Sequence, residues 1–233
     1  MAKKIKKKTK LKFVPILLLL LTIVIGVFLI SFFINVKIKN IYVSGNKILS
    51  DQEIIELSSL EDYPSFIGTS TSKITNVLNK NPYIKSVKVS KKLVATIKIE
   101  IVEHALLFEN STTGKIVIDF DNEIEKGTKI IGVPVLVNYV PDLVYKEFVK
   151  EMKNVDQNIR NKISNIEYTP NDYDKKRFLL YMNDGNKVYV TLAIENNKSR
   201  FGLINSYDEI YPTLEGKKGI LNLDSGNHFD IKG

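Results

Sequence analysis

Residues 38–53 read IKNIYVSGNKILSDQE, and the fold is decided there. Ile38 to Val43 is a short run rich in β-branched and aromatic residues, the composition of a pleated, half-buried strand. Ser44-Gly45-Asn46 closes it, because Gly and Asn tolerate positive φ. Ser50 then precedes Asp51-Gln52-Glu53. A serine with a glutamate three residues on is a capping box, in which two orphan N–H groups of a helix start are satisfied reciprocally. Strand, turn and helix start are therefore all specified locally.

Working outward, Ile54, Ile55 and Leu57 supply the apolar side of that helix. After a loop with Pro64 and Gly68, the spacing of Ile74, Val77 and Leu78 predicts a second helix from about Ser70 to Lys80. Asn79 to Pro82 ends it. Ile84, Val87 and Val89 begin a strand, and Lys91-Lys92 are expected to make the turn. Ile97, Ile99 and Ile101 then alternate with Lys98 and Glu100 in a longer strand. The order is β-α-α-β-β, with two helices covering one face of a small sheet.

On the N-terminal side, Phe13–Val36 is 24 residues without a charge. As a helix it would be about 36 Å long, enough for a hydrocarbon core of about 30 Å. A cleaved signal peptide would have a shorter apolar region and a small-residue cleavage site, yet Phe32, Phe33 and Ile34 occupy that place. A retained anchor is expected. Residues 1–12 hold seven lysines and no acid, which predicts a cytoplasmic tail and residues 37–233 outside. Without those lysines the chain has 27 basic and 26 acidic residues. The excess charge belongs to the tail, which argues against a basic nucleic-acid-binding domain.

Here a resemblance enters. The run Ile41-Tyr42-Val43-Ser44-Gly45-Asn46 with its capped helix, then Asn81-Pro82-Tyr83-Ile84-Lys85-Ser86-Val87-Lys88-Val89, resembles a POTRA domain of the FtsQ/DivIB kind. Thr96 to Glu103 is similar to the family's closing strand, with Glu103 on its recurrent glutamate. Val94 stands where the family usually has proline, and His104 where arginine usually follows the glutamate.

Turn and strand signals restart after Leu106. Lys115 to Phe120 is predicted as a strand, turned by Asp121-Asn122 into a partner near Ile124, with Asn122 at a positive-φ position where the family has glycine. Asp119, Asp121 and Glu123 alternate, but Ile124 and Ile130 stand where a calcium loop needs glycine and glutamate. Val144, Phe148, Met152, Val155, Ile159 and Ile163 step by four or three, predicting one or two helices with a core-facing stripe. Two β-rich runs, Phe178–Met182 and Lys187–Val190, flank Asp184-Gly185, a hairpin signal. A helix is predicted from about Lys198 to Leu214, carrying Leu203, Ile204, Tyr207 and Ile210, before a last strand Gly219–Asp224. The hairpin, the helix and the closing Gly219–Phe229 segment also resemble the DivIB branch of the family. Many members continue into a flexible tail beyond this point, which this chain is expected to lack.

The fold class expected is α+β, with a single N-terminal transmembrane helix, a β-α-α-β-β POTRA-like domain and a larger mixed α/β domain built on an antiparallel sheet. The expected boundaries are 1–12 for the basic tail, 13–36 for the helix, 37–105 for the POTRA domain and 106–233 for the C-terminal domain. There are no cysteines, which excludes thiolate zinc and a cysteine nucleophile, and only two histidines, His104 and His228. No P-loop, dinucleotide fingerprint or nucleophile–base spacing is present, so no cofactor and no catalytic or metal residue is assigned. The resemblance implies a non-enzymatic scaffold of the bacterial division septum that binds the bitopic proteins FtsL and DivIC (FtsB in other bacteria). The rival readings are an anchored cell-wall enzyme, which needs a cleft with clustered carboxylates or a serine–base pair, and a translocon POTRA module, which needs tandem repeats or a barrel. The partner-binding residues expected are Ile220, Leu221, Asn222, Leu223, Asp224, His228 and Phe229, on a terminal strand read as an open edge. Leu221 and Leu223 would face the core, and Asn222 and Asp224 the other side.

Overall fold

Phe13–Ile34 winds into one continuous helix, α1. Its segment Phe13–Phe32 is long and apolar enough to cross a membrane, and the rest of the protein buries none of it. At about 1.5 Å per residue it matches a bilayer core. Polar side chains here bond within the chain, as lipid requires: Thr22 Oγ1 donates to the Leu19 carbonyl at 2.8 Å, and Asn35 Nδ2, one residue past the helix, to that of Ser31 at 2.9 Å. The computed structural model describes residues 13–119, 121–127, 130–195 and 198–231. The lysine tail 1–12 and Phe120 lie outside the described residues. The chain divides into two units, Met1–Val102 and Glu103–Gly233.

In the first unit β1 (Asn40–Ser44), α2 (Asp51–Leu57), α3 (Thr71–Leu78), β2 (Ile84–Lys92) and β3 (Thr96–Glu103) follow in the predicted order. The sheet runs β1-β3-β2, with β1 parallel to β3. The capping box forms as read: Ser50 Oγ accepts from the Glu53 N–H, and the Ser50 N–H donates to Glu53 Oε2 at 2.8 Å. Ile97, Ile99 and Ile101 project from one face of β3 into a core with Ile54, Ile74 and Leu78. Leu57 and Val77, expected in that core, are exposed, and Leu60 is buried instead. Gly45 sits at φ +90, and a Cβ there would overlap the Ile101 carbonyl, so the turn after β1 needs glycine for both reasons. Asn46 is not among the positive-φ residues.

The β2–β3 turn departs from expectation. Lys91 and Lys92 stay in the strand, and the chain reverses at Leu93–Ala95 with φ +60 at Val94 and +50 at Ala95. Left-handed geometry is costly for any Cβ residue and most so for a branched one.

The second unit holds β4 (Phe108–Asn110), β5 (Lys115–Asp119), β6 (Asn122–Ile124), β7 (Val135–Leu136), α4 (Asp142–Asn154), α5 (Gln157–Arg160), β8 (Ile163–Tyr168), β9 (Arg177–Met182) and β10 (Lys187–Thr191). A small ladder, β11 (Ile194–Glu195) with β12 (Lys198–Ser199), leads through a 3-10 turn Arg200–Ser206, α6 (Tyr207–Ile210) and a second 3-10 turn Tyr211–Leu214 to β13 (Gly219–Asn222) and β14 (His228–Ile231). Among the described residues nine strands form one sheet in the order β14-β13-β10-β9-β8-β7-β4-β5-β6. Its antiparallel blocks are joined by three parallel pairings, β10 with β13, β7 with β8 and β4 with β7.

The stripe on α4 and α5 is core, as its spacing predicts: Phe148, Met152, Val155 and Ile159 are buried, while Ile163 already opens β8. Arg160 is buried too, and its guanidinium donates to the carbonyls of Met152 and Val155, closing the end of α4. The single helix read over Lys198–Leu214 is broken. Gly202, Asn205 and Ser206 are weak helix formers, and Pro212 brings no N–H. The Asp184-Gly185 hairpin forms, with Gly185 at φ +92. Asn122 is not at positive φ; it is the first residue of β6, paired to Asp119.

Candidate partner-binding edge

The strand read as the terminal edge is an interior one. β13 lies parallel to β10, with Val188 opposite Leu221, and antiparallel to β14, with Leu221 opposite Phe229. The ladder runs one strand further than the expected terminal strand. His228-Phe229-Asp230-Ile231 alternates polar and apolar, which is itself a strand signal.

Side-chain faces are as expected where burial decides them. Leu221 and Leu223 are buried in the main core of this unit. Asn222 and Asp224 face away from it but are engaged within the chain. Asn222 Nδ2 donates to Asp230 Oδ2 at 2.8 Å, and Asp224 Oδ2 takes the Arg177 Nε–H at 2.6 Å. Arg177 also lies 3.4 Å over the Tyr189 ring, a stacking that suits its planar cation. Ile220 is half-buried.

Backbone directions follow from one bond. The Leu223 N–H donates to the Tyr189 carbonyl at 2.9 Å, so Leu221 and Leu223 point their backbone groups to β10, and Ile220 and Asn222 point theirs to β14. Opposite them, Asp230 and His228 bond back to β13. The N–H and C=O groups of Phe229 and Ile231 therefore face outward, with no strand beyond β14 among the described residues. Phe229 packs its ring on the core, Ile231 on the same face is largely exposed, and His228 lies 3.6 Å from Asp230.

A buried polar knot that the sequence did not announce sets this edge. Asn186 accepts from the Gly219 N–H at 3.0 Å and donates to the Tyr207 hydroxyl, which donates to Asp184 at 2.6 Å. The hairpin turn is thereby tied to the start of β13. A Cβ at Gly219 would meet the Asp230 carbonyl and the Phe229 ring, so glycine lets β14 close on β13. Burial, and then the bond to Asp184, holds the Tyr207 phenol well above its ordinary range. Tyr181 is pushed up to about 12, chiefly by its bond to Glu167.

Tyr207→Phe leaves Asn186 and Asp184 each short of a partner and is expected to cost about 1–3 kcal/mol at neutral pH, read from urea unfolding. The folded-state phenol titrates above its unfolded value of about 10. Its contribution is complete below that pH and is lost as pH rises through the folded value. The variant should therefore lose less stability than the parent above pH 10.

Among the described residues no group of three or more His, Asp or Glu could hold a metal ion.

Residues 36–104 match the FtsQ-type POTRA domain. Cell division protein DivIB of Listeria monocytogenes serovar 1/2a is 29% identical over 237 aligned positions, covering 97% of this chain and 84% of that protein. The chain thus carries an FtsQ-type POTRA domain and is similar over nearly its whole length to the DivIB cell-division proteins. DivIB of Bacillus subtilis strain 168 is 29% identical over 205 positions, covering 83% and 74%. The extracytoplasmic domain of DivIB from Geobacillus stearothermophilus aligns with 48% of this chain and 91% of that one, at 20% identity and a TM-score of 0.36, a likeness that carries no argument. The POTRA expectation of the sequence stands, and the one N-terminal apolar helix fits a single-pass membrane protein.

Proposed function

We propose that this chain is a non-enzymatic scaffold of the division septum, anchored by α1 with its tail in the cytoplasm and both folded units outside. It binds bitopic division proteins of the FtsL and DivIC/FtsB type through the second unit and so helps control septal wall synthesis. The observation that carries the reading is the outward row of backbone groups on β14, at the end of a nine-stranded sheet whose other strands are held by a deep core. An extended partner segment adds to such an edge through main-chain hydrogen bonds, with side-chain pockets giving selectivity. Ile220 to Asp224 then act as the rail that holds the edge, while His228, Phe229 and the neighbouring Ile231 meet the partner.

The test is binding of the purified full-length protein, in detergent, to the extracellular segments of FtsL- and DivIC-type proteins. Ile231→Pro removes an outward N–H and should abolish or strongly weaken capture while unfolding at the parent's midpoint. Capture at parental strength would place the contact elsewhere.

A further inference from the structure

The chain leaving α1 is clamped at once by two apolar loops. The Val36 carbonyl accepts from the Phe66 N–H at 2.8 Å, the Ile38 N–H donates to the Pro64 carbonyl at 3.0 Å, and the Lys39 N–H to that of Ala95 at 2.9 Å. Val36 lies two residues past the end of α1, and extended chain reaches only about 7 Å in two residues. The 63–67 loop thus sits beside the membrane exit, and the β2–β3 turn reaches the same strap of chain. Both loops present bare apolar side chains: Leu93 is 90% exposed, Val94 70%, Ile67 50% and Tyr63 45%. Lys91 joins the two, its ammonium donating to the Ile67 carbonyl at 3.1 Å and lying 5.1 Å over the Phe66 ring. Lys37 and Lys39 lie on the strap, and Lys91 and Lys92 precede Leu93 in the chain, while Glu61 and Asp62 precede Tyr63.

An aliphatic tip, a tyrosine and lysines next to them in the chain are the chemistry of an interfacial anchor, in which apolar groups enter the acyl boundary and ammonium groups meet lipid phosphates. In water, the side chains of this Leu-Val turn stay exposed, with valine in left-handed geometry. At a bilayer surface its side chains are buried.

We propose that Leu93, Val94, Ile67 and Tyr63 form a lipid-contacting face that seats the POTRA domain on the anionic outer surface of the membrane its own helix spans. The proposal rests on the reading of α1 as the anchor. Its consequence is a POTRA domain held at a fixed height and tilt.

The chain contains no tryptophan, so single tryptophans report position directly. Full-length Leu93→Trp, Tyr83→Trp and Phe28→Trp proteins are reconstituted into vesicles of equal parts phosphatidylglycerol and phosphatidylcholine, with and without brominated acyl chains. Leu93→Trp should emit to the blue of its value in urea and lose most of its emission to bromine. Tyr83, just before β2 at the end away from the Leu93 turn, should give a tryptophan that is not quenched. Phe28→Trp, inside α1, should be quenched throughout. A red-emitting, unquenched Leu93→Trp beside a quenched Phe28→Trp overturns the lipid face and leaves the anchor standing. An unquenched Phe28→Trp overturns the anchor itself. Equal quenching of Tyr83→Trp and Leu93→Trp also overturns the proposal, since the contact would then not belong to the turn.

Discussion

Leu223→Pro is expected to unfold the second unit, and Ile231→Pro, eight residues on, to leave it folded. Leu223 is buried in the core and its N–H holds the parallel ladder to Tyr189, while its carbonyl accepts from Arg200 Nε at 2.9 Å. Proline deletes the donor and so a ladder bond, leaving a buried carbonyl unpaired at about 1–3 kcal/mol. The lost leucine side chain adds about 2–5 kcal/mol in a site that cannot collapse. The two share one site and do not simply add, but together they rival the whole stability of an ordinary domain, about 5–15 kcal/mol. Ile231 contributes neither, because its N–H faces outward and its side chain is exposed. Thermal unfolding followed by near-ultraviolet circular dichroism separates the two variants. A Leu223→Pro protein melting at the parent's midpoint would mean that the β10–β13 pairing is wrong.

The same pair of residues shows what the sequence could and could not carry. Side-chain faces in β13 were legible because burial enforces the alternation of Leu221 and Leu223. Which strand forms the edge was not, because it depends on whether four residues after a turn fold back on β13, a tertiary choice to which local propensity contributes little. The first unit was legible almost throughout, since capping box, glycine turn and alternating isoleucines are local and agree with one another. It was misread at Leu57 and Val77, which are exposed while Leu60 is buried, and at the Val94-Ala95 turn, where the chain breaks a local rule. The Asn186–Tyr207–Asp184 knot left no trace in any spacing, because it gathers residues from a turn and a broken helix that meet only in the folded sheet. The Lys198–Leu214 stripe had helical spacing, and Ile204 and Tyr207 are indeed buried, yet the backbone between them is 3-10. Apolar periodicity reports which face is buried more reliably than which helix is wound.

The larger stability effect expected of a single truncation is that of Phe148→Ala, and it also asks whether the two units are thermodynamically separate. Phe148 is buried in a ring cluster, stacked on Phe178 at 4.6 Å and 13°, edge-on to Phe201 at 5.7 Å and 77°, and tilted against Phe108 at 5.0 Å. Removing a buried ring costs about 3–5 kcal/mol, because close-packed neighbours relax only in part. This cluster joins α4, β9, β4 and the 200–206 turn, so its loss loosens the frame that holds β10 and β13. The core of the first unit, built on Ile54, Leu78, Ile97 and Ile99, has no residue in common with it. Hydrogen exchange on the intact protein in detergent should therefore show lost protection through β8, β9, β10 and β13, with β3 and α2 exchanging at the parental rate. Binding of a strand-adding partner should weaken in parallel, since the edge is only as well ordered as the sheet behind it. If β3 and α2 lose protection to the same degree, the two units unfold as one, and a fragment that starts near residue 106 would not keep the edge by itself.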